Sequence, residues 1–505
     1  MLKKFFIVLL IISIMTSLLS ANANAYIKGT ASTGWNIHQT DGTLANVYRY
    51  GPSTIINADN SIDAWFASPG REFYYDNYSV SGTHTPVQLS GSNVAAQKFY
   101  TDKAFNRVGV VCPSWGNNVG ALTIKVYVWN TNYNTTLAGT PIASYRPAYF
   151  EDNAYLSVAL DKDYPAGNYM WTLSEPSEVV GVWKYTGSSV SGNVNYLNGT
   201  VVSGDYETKI GYWIWDVIKY KRSTDGGHTW SGEIETLVPT LRSRDHYSIC
   251  DPGVIKIGSY YYLGYTSTED TRGTDNEVYV ARSTSPSGPW SKWNGSGWGG
   301  NPQPFIAFDG PAHRFGAGEP CFVEKDGTIY IYYTWNSEAA DGTPIIQTRV
   351  ATASASNSNW PGSITYRGVA IDKRYDQEMD SSDVKYIDTY GKFIAANAAR
   401  RFTSNSFMQY WESSDGITFQ PAFMPKTNLQ LNSHNAGISG TANGHIDLSK
   451  NNFVAYAYGA GWANWNTYLN PVTYTNDNKA APPLIYTVHP GNGQATIDFM
   501  TNSQA

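Results

Sequence analysis

Short runs of alternating apolar and polar residues, each closed by a Gly, Asp or Asn turn, follow one another along most of this chain. Alternation with a period of two is a strand pattern, and Asp-Gly or Gly-Ser pairs between runs are hairpin turns. The clearest set starts at Asp251-Pro252-Gly253-Val254-Ile255-Lys256, turns at Ile257-Gly258-Ser259, and continues over residues 260–267 and 277–282. A second set starts at Glu319-Pro320-Cys321-Phe322-Val323, turns at Lys325-Asp326-Gly327, and continues over 328–335 and 345–351. A third runs from Asp383-Val384-Lys385-Tyr386-Ile387 through 392–397 and 407–412, and a fourth from His434-Asn435-Ala436-Gly437-Ile438 through 452–458.

Four of these stretches end in a similar turn, at Ser223 to Trp230, Ser283 to Trp290, Ala353 to Trp360 and Ser413 to Phe419, so the aromatic ends recur every sixty to seventy residues. A unit of that size made only of short strands predicts an all-β fold, a β-propeller, with five blades. Blade one is split. Its inner strand is Tyr50-Gly51-Pro52-Ser53-Thr54-Ile55-Ile56 and its second covers 61–67, but its third is expected only at 214–222. The β-rich texture between them predicts a β-sandwich domain inserted in blade one over residues 73–212; an exposed hairpin tip tolerates this because its two ends lie close together. The propeller then comprises 26–72 and 213–478. Residues 479–505 read as a linker or as the start of a fibronectin type III-like module, a partial tail too short to complete a sandwich.

Composition narrows the class of partner. Tyr (38) and Trp (17) are abundant, and charged residues make up only 15% of the chain. Such side chains offer flat apolar faces with polar tips, suited to sugar rings. A net charge of −6 leaves no basic field for a nucleic acid. Lys3 and Lys4 precede an apolar run from Phe5 to Leu19, and Ala23-Asn24-Ala25 fits a cleavage site, so residues 1–25 read as a signal peptide and the mature protein as secreted or surface-associated, without membrane insertion. Cys112, Cys250 and Cys321 form no disulfide framework and show no zinc spacing.

The Asp-Pro start at Asp251, the Glu-Pro start at Glu319, the Asp start at Asp383 and the turn Ser285-Pro286-Ser287-Gly288-Pro289-Trp290 resemble the five-bladed propeller glycoside hydrolases of family 43, the arabinofuranosidase, arabinanase and xylosidase relatives, over residues 40–72 and 213–475. That resemblance implies catalytic carboxyls at the funnel, a polysaccharide or oligosaccharide substrate, inversion of configuration and no organic cofactor. It implies that Glu319 is the general acid and that Asp251 tunes and orients it. The family places its base Asp in blade one directly before a Pro, where this chain has Gly51. Asp251, Asp383 or a residue outside the motifs then takes that role, or the protein binds carbohydrate without cleaving it. His434 resembles an axial histidine that helps hold a central calcium ion in some members, through the ion's waters. Arg49, Arg244, Arg314 and Arg400 are candidates to clamp substrate hydroxyls, and Tyr50, His246, Tyr247, His313, Trp335, Trp462 and Trp465 to stack on sugar; ordinary blade packing competes for most of them. The Ser223 to Trp230 turn is an Asp box like those of sialidases and is expected to be structural; a sialidase would also need an arginine triad, a Tyr/Glu pair and commonly six blades.

Overall fold

The computed structural model describes residues 26–37, 48–77, 82–187, 189–240, 243–268, 273–372, 381–423, 429–461, 463–477, 484–490 and 495–500. The expected signal peptide, Trp462 and residues 478–483 lie outside them. No described helix is long and apolar enough to cross a membrane.

Among the described residues, five antiparallel sheets form a ring. From its inner strand outwards, the first holds Tyr50–Ile56, Ile62–Pro69, Asp216–Ser223 and Ile234–Leu237. The second holds Ser248–Ile257, Tyr260–Thr268, Glu277–Ser283 and Ser291–Lys292. The third holds Gly316–Lys325, Thr328–Glu338, Pro344–Ser354 and Thr365–Asp372. The fourth holds Ser382–Ile387, Lys392–Ala399, Phe407–Ser413 and Gln420–Phe423. The fifth holds Ser433–Ile438, Phe453–Tyr458 and Asn466–Asp477, and its outer strand is Tyr26–Ala31 from the other end of the chain. Each inner strand neighbours the next, and the fifth returns to the first, where Ile55 bridges Gly440. The sequence pattern did not reveal that Tyr26–Ala31 completes the last sheet. Strand pairing depends on the partner, Asn466–Asp477, and the two lie more than 430 residues apart.

Burial between adjacent sheets drives the closure. Tyr262, Phe322 and Trp360 meet between the second and third sheets, Val323, Tyr332 and Phe393 between the third and fourth, and Met408, Tyr410 and Tyr456 between the fourth and fifth. The turns are fastened locally. Asp225 accepts from the amides of His228 (3.1 Å) and Thr229 (2.8 Å) and from the Thr229 hydroxyl (2.6 Å), hydrogen bonds that hold its carboxyl down at about 2. Asp415 repeats the arrangement on the amides of Ile417 and Thr418.

The chain leaves the first sheet after Pro69 and rejoins it at Asp216, and these two residues pair across the sheet. Between them lie a six-stranded, a four-stranded and a three-stranded sheet around a shared core that includes Phe99, Val110, Leu122, Trp171 and Tyr206. Asp163 from this region meets His246 of the ring at 3.0 Å. The strands Leu484–Pro490 and Ala495–Met500 form a separate two-stranded hairpin.

Candidate active site

The inner strands of four sheets carry the same irregularity at the same place. Pairing with the second strand slips between Tyr50 and Ser53, Cys250 and Gly253, Gly318 and Cys321, and His434 and Ala436. Within each slip one residue adopts the left-handed conformation: Gly51 (φ 61°), Asp251 (φ 48°), Glu319 (φ 55°) and Asn435 (φ 46°). A bulge of this kind re-aims a side chain out of the alternation of the strand. For the three residues that are not glycine the conformation is strained, by roughly 1–3 kcal/mol each. Three strained polar residues at one level of a ring are the kind of outlier from which a functional site is argued.

They converge. The Asn435 side-chain amide donates to Glu319 Oε1 at 3.2 Å and stands 3.4 Å from Asp251 Oδ1. The two carboxylates are therefore no farther apart than those two contacts laid end to end. The Cys250 thiol donates to Asp251 Oδ2 at 3.2 Å; burial and the charges of Asp251 and Asp216 push that thiol well up, so it keeps its proton. The backbone amide of Glu319 donates to Thr266 Oγ1 at 2.7 Å. Asp251, Glu319 and Asn435 line a cavity of about 210 Å³ whose walls include Tyr48, Tyr50, Trp215, Phe315, Phe402 and Trp465. Phe315 is 53% exposed at its edge.

Asp383 is not part of that cavity's wall. The fourth sheet has no slip, and Asp383 pairs in register with Ala396. Counted back from the strand ends at Ile257, Lys325 and Ile387, Asp383 matches Gly253 and Cys321, two residues deeper than Asp251 and Glu319. It does line a smaller pocket along the inner strands, together with Asp251, Glu319 and Asn435, so the three carboxyls share that space. Its Oδ1 accepts from Lys385 Nζ at 2.6 Å and its Oδ2 from the Ile438 amide at 2.6 Å.

The other sequence candidates divide. Tyr50 lines the cavity and donates to Asp216 Oδ2 at 3.2 Å. Arg49 is buried and bonded to Glu233, away from the cavity wall. Arg244 pairs with Glu277 at 2.8 Å. The His246 ring is engaged by Asp163 and, at 2.7 Å, by the Ser243 carbonyl, and Tyr247 is buried among Trp213 and Trp215. His313 pairs with Glu338 on the surface. Trp335 packs on Phe308 with the Arg349 guanidinium 4.1 Å from its ring, which is packing and not an open stacking face. Arg314 and Arg400 stand one residue outside the wall, which takes their neighbours Phe315 and Arg401. Trp465 does line the cavity.

His434 lines the cavity with its ring centroid 4.5 Å from Phe402, 4.6 Å from Trp465 and 6.3 Å from Tyr50. Those neighbours are not the oxygen donors calcium requires. Asp383, in the smaller pocket with Asp251 and Glu319, already carries the Lys385 ammonium. Among the described residues no three His, Cys, Asp or Glu gather around a common point.

Sequence reasoning missed Asp216 and Asn435. Asp216, at the start of Asp216–Ser223, accepts from Tyr48 at 2.5 Å, Ser248 at 2.9 Å and Tyr50. Burial raises its carboxyl to about 6 against those three hydroxyls, which favour the charged form. Asn435 directly follows His434, and its place in the repeat matches that of Asp251 and Glu319, a signal available in the aligned strand starts.

No protein-family model matches the chain, and neither does any curated protein. Among solved structures it is similar to a family 117 glycoside hydrolase of the marine bacterium Zobellia galactanivorans, at 13% identity over 91% of this chain and 92% of that one, with a TM-score of 0.40. An α-L-arabinofuranosidase from Podospora anserina, solved with cellotriose, matches at 8% identity over 90% and 98%, with a TM-score of 0.41. An endo-arabinase from Bacteroides thetaiotaomicron matches at 15% identity over 50% and 85%, with a TM-score of 0.36. Likeness this low transfers no residue roles to this chain.

Proposed function

We propose that this chain is a secreted glycoside hydrolase that cleaves glycosidic bonds in plant or microbial polysaccharide or oligosaccharide with inversion, built as a five-bladed β-propeller with a β-sandwich inserted in blade one. The observation that carries the reading is the meeting of Asp251 and Glu319 on the single amide of Asn435, at the mouth of an aromatic-walled cavity. Glycosidic cleavage needs one carboxyl to protonate the leaving oxygen and another to activate water. Glu319, on the longer stem, is the acid. Asp251, tied to it through Asn435, orients it. Phe315 offers an exposed face to the sugar, in a wall that Tyr50 and Trp465 share. Asp383, whose charge the Lys385 ammonium offsets, takes no direct part in the chemistry.

A second reading, a carbohydrate-binding propeller without catalysis, is favoured by Gly51, which supplies no carboxyl at the blade-one position. Cleavage and binding of arabinan, xylan and galactan oligosaccharides by the wild type and by Glu319→Gln separate the two. Cleavage by the wild type alone supports the hydrolase; binding by both with cleavage by neither supports the binding protein.

A further inference from the structure

With Gly51 at the blade-one position, the proposed reaction lacks a group to take the proton of the attacking water. We infer that Asp216 is that base, supplied from the third strand of the first sheet. The inference rests on the glycosidase reading above. Asp216 lines the same cavity as Asp251 and Glu319. It is buried, and its carboxylate is oriented by three hydroxyls from two sheets: Tyr48 on Oδ1, and Tyr50 and Ser248 on Oδ2. A carboxylate oxygen has room for two hydrogen bonds, and Oδ1 accepts one among the described residues, so it can receive a water O–H. No basic side chain lies among those partners to hold the charge permanently. The titratable groups that interact with it are Tyr48 and Tyr50 from the first sheet's inner segment and Cys250 from the second sheet.

The step balances. A water O–H bond breaks and its proton passes to Asp216 Oδ1. The freed electron pair on the water oxygen forms a bond to the anomeric carbon, the glycosidic C–O bond breaks, and the leaving oxygen takes the proton of Glu319. Burial that lifts the carboxyl towards 6 keeps it basic enough to accept that proton near neutral pH.

The test uses the full chain and whichever oligosaccharide of the arabinan, xylan and galactan panel the wild type cleaves, together with the aryl glycoside of the same sugar. Asp216→Ala should cut oligosaccharide cleavage by about 10²–10⁴-fold. Added azide should restore consumption of the aryl glycoside by that variant and give the inverted glycosyl azide. The isosteric Asp216→Asn should lose the acid limb of the pH–rate profile. Tyr48→Phe, which keeps its ring, should move that limb to higher pH, because one hydrogen bond to the charged carboxylate is gone. A folded Asp216→Asn with the wild-type rate and acid limb, or no azide rescue in folded Asp216→Ala, overturns the inference while leaving Glu319 in place. A wild type that cleaves nothing in the panel removes both the glycosidase reading and this inference.

Discussion

A Cβ on Gly51 would stand 3.0 Å from Asp251 Oδ1 and 3.1 Å from Asp251 Cα. The blade-one position that holds a base in the resembling family is therefore packed against the neighbouring sheet here, in a left-handed backbone (φ 61°) that suits glycine. Gly51→Asp should not create a second base. It should displace the Asp251 carboxylate, lower activity, and cost about 1–3 kcal/mol of stability through strain. Thermal unfolding and cleavage rate, measured together, check this; a more active Gly51→Asp protein would contradict it.

Asn435 donates to one carboxylate and stands at the limit of hydrogen-bonding distance from the other. A hydrogen bond to a charged group contributes about 1.5–3 kcal/mol. Asn435→Ala should thus lower kcat roughly 10- to 100-fold by that bookkeeping, with KM little changed. Asn435→Asp should be worse than Asn435→Ala, since it sets a third like charge beside the pair. Steady-state kinetics of the two variants give the order.

Asp216 makes a prediction about stability. Its carboxyl is raised from an ordinary 3.8 to about 6 by burial. Below pH 4 both folded and unfolded forms carry the proton, and the group contributes nothing. As pH rises from about 4 to 6 the unfolded form loses its proton first, so stability falls through that window. Above it the charged, buried carboxylate costs up to about 3 kcal/mol. Asp216→Asn should be more stable than the wild type at pH 8, and the difference should vanish by about pH 4. Urea unfolding at the two pH values measures it. A destabilised Asp216→Asn at pH 8 would contradict it.

Lys385 and Asp383 form a buried ion pair beneath the cavity, with Nζ 2.6 Å from Oδ1. Removing the ammonium leaves a buried carboxylate with only neutral partners among the described residues, the Ile438 amide and the Cys321 thiol. Lys385→Met should cost about 3–5 kcal/mol, and Asp383→Asn in the same chain should recover part of it. A chelator should leave the melting temperature of the wild type unchanged, because an ammonium already serves as the cation here. A fall in melting temperature with chelator, restored by calcium, would contradict this.

Much of the ring was legible in the chain. Asp251-Pro252 and Glu319-Pro320 begin inner strands, as their shared pattern implies, because period-two alternation followed by an Asp-Gly or Gly-Ser turn is a local signal. The same alignment misled at Asp383. Both it and Asp251 are aspartates near a strand start, but the fourth strand has no bulge, and a shift of two residues leaves Asp383 off the wall of the larger cavity while it still shares the smaller pocket with Asp251 and Glu319. Three of the four bulged residues precede a proline, at Gly51-Pro52, Asp251-Pro252 and Glu319-Pro320, whereas Val384 follows Asp383, a difference the alignment of strand starts passed over. Asp216 was hidden for another reason. It belongs to a third strand, and only the return of the chain after the inserted residues 73–212 brings it against Tyr48 and Ser248. Arg49 and Trp335 were read as contacts for sugar because side-chain type does not distinguish a cavity wall from a packed interior; Glu233 and Arg349 decide it.

The account turns on Glu319 as a proton donor beside Asp251. Its most direct test is to compare, for Glu319→Gln and the wild type, an oligosaccharide with an aryl glycoside whose phenolate leaves without protonation. The account predicts that Glu319→Gln loses oligosaccharide cleavage by about 10²–10⁴-fold while it keeps most of its rate on the aryl glycoside. Equal rates for the two proteins on the oligosaccharide would contradict it.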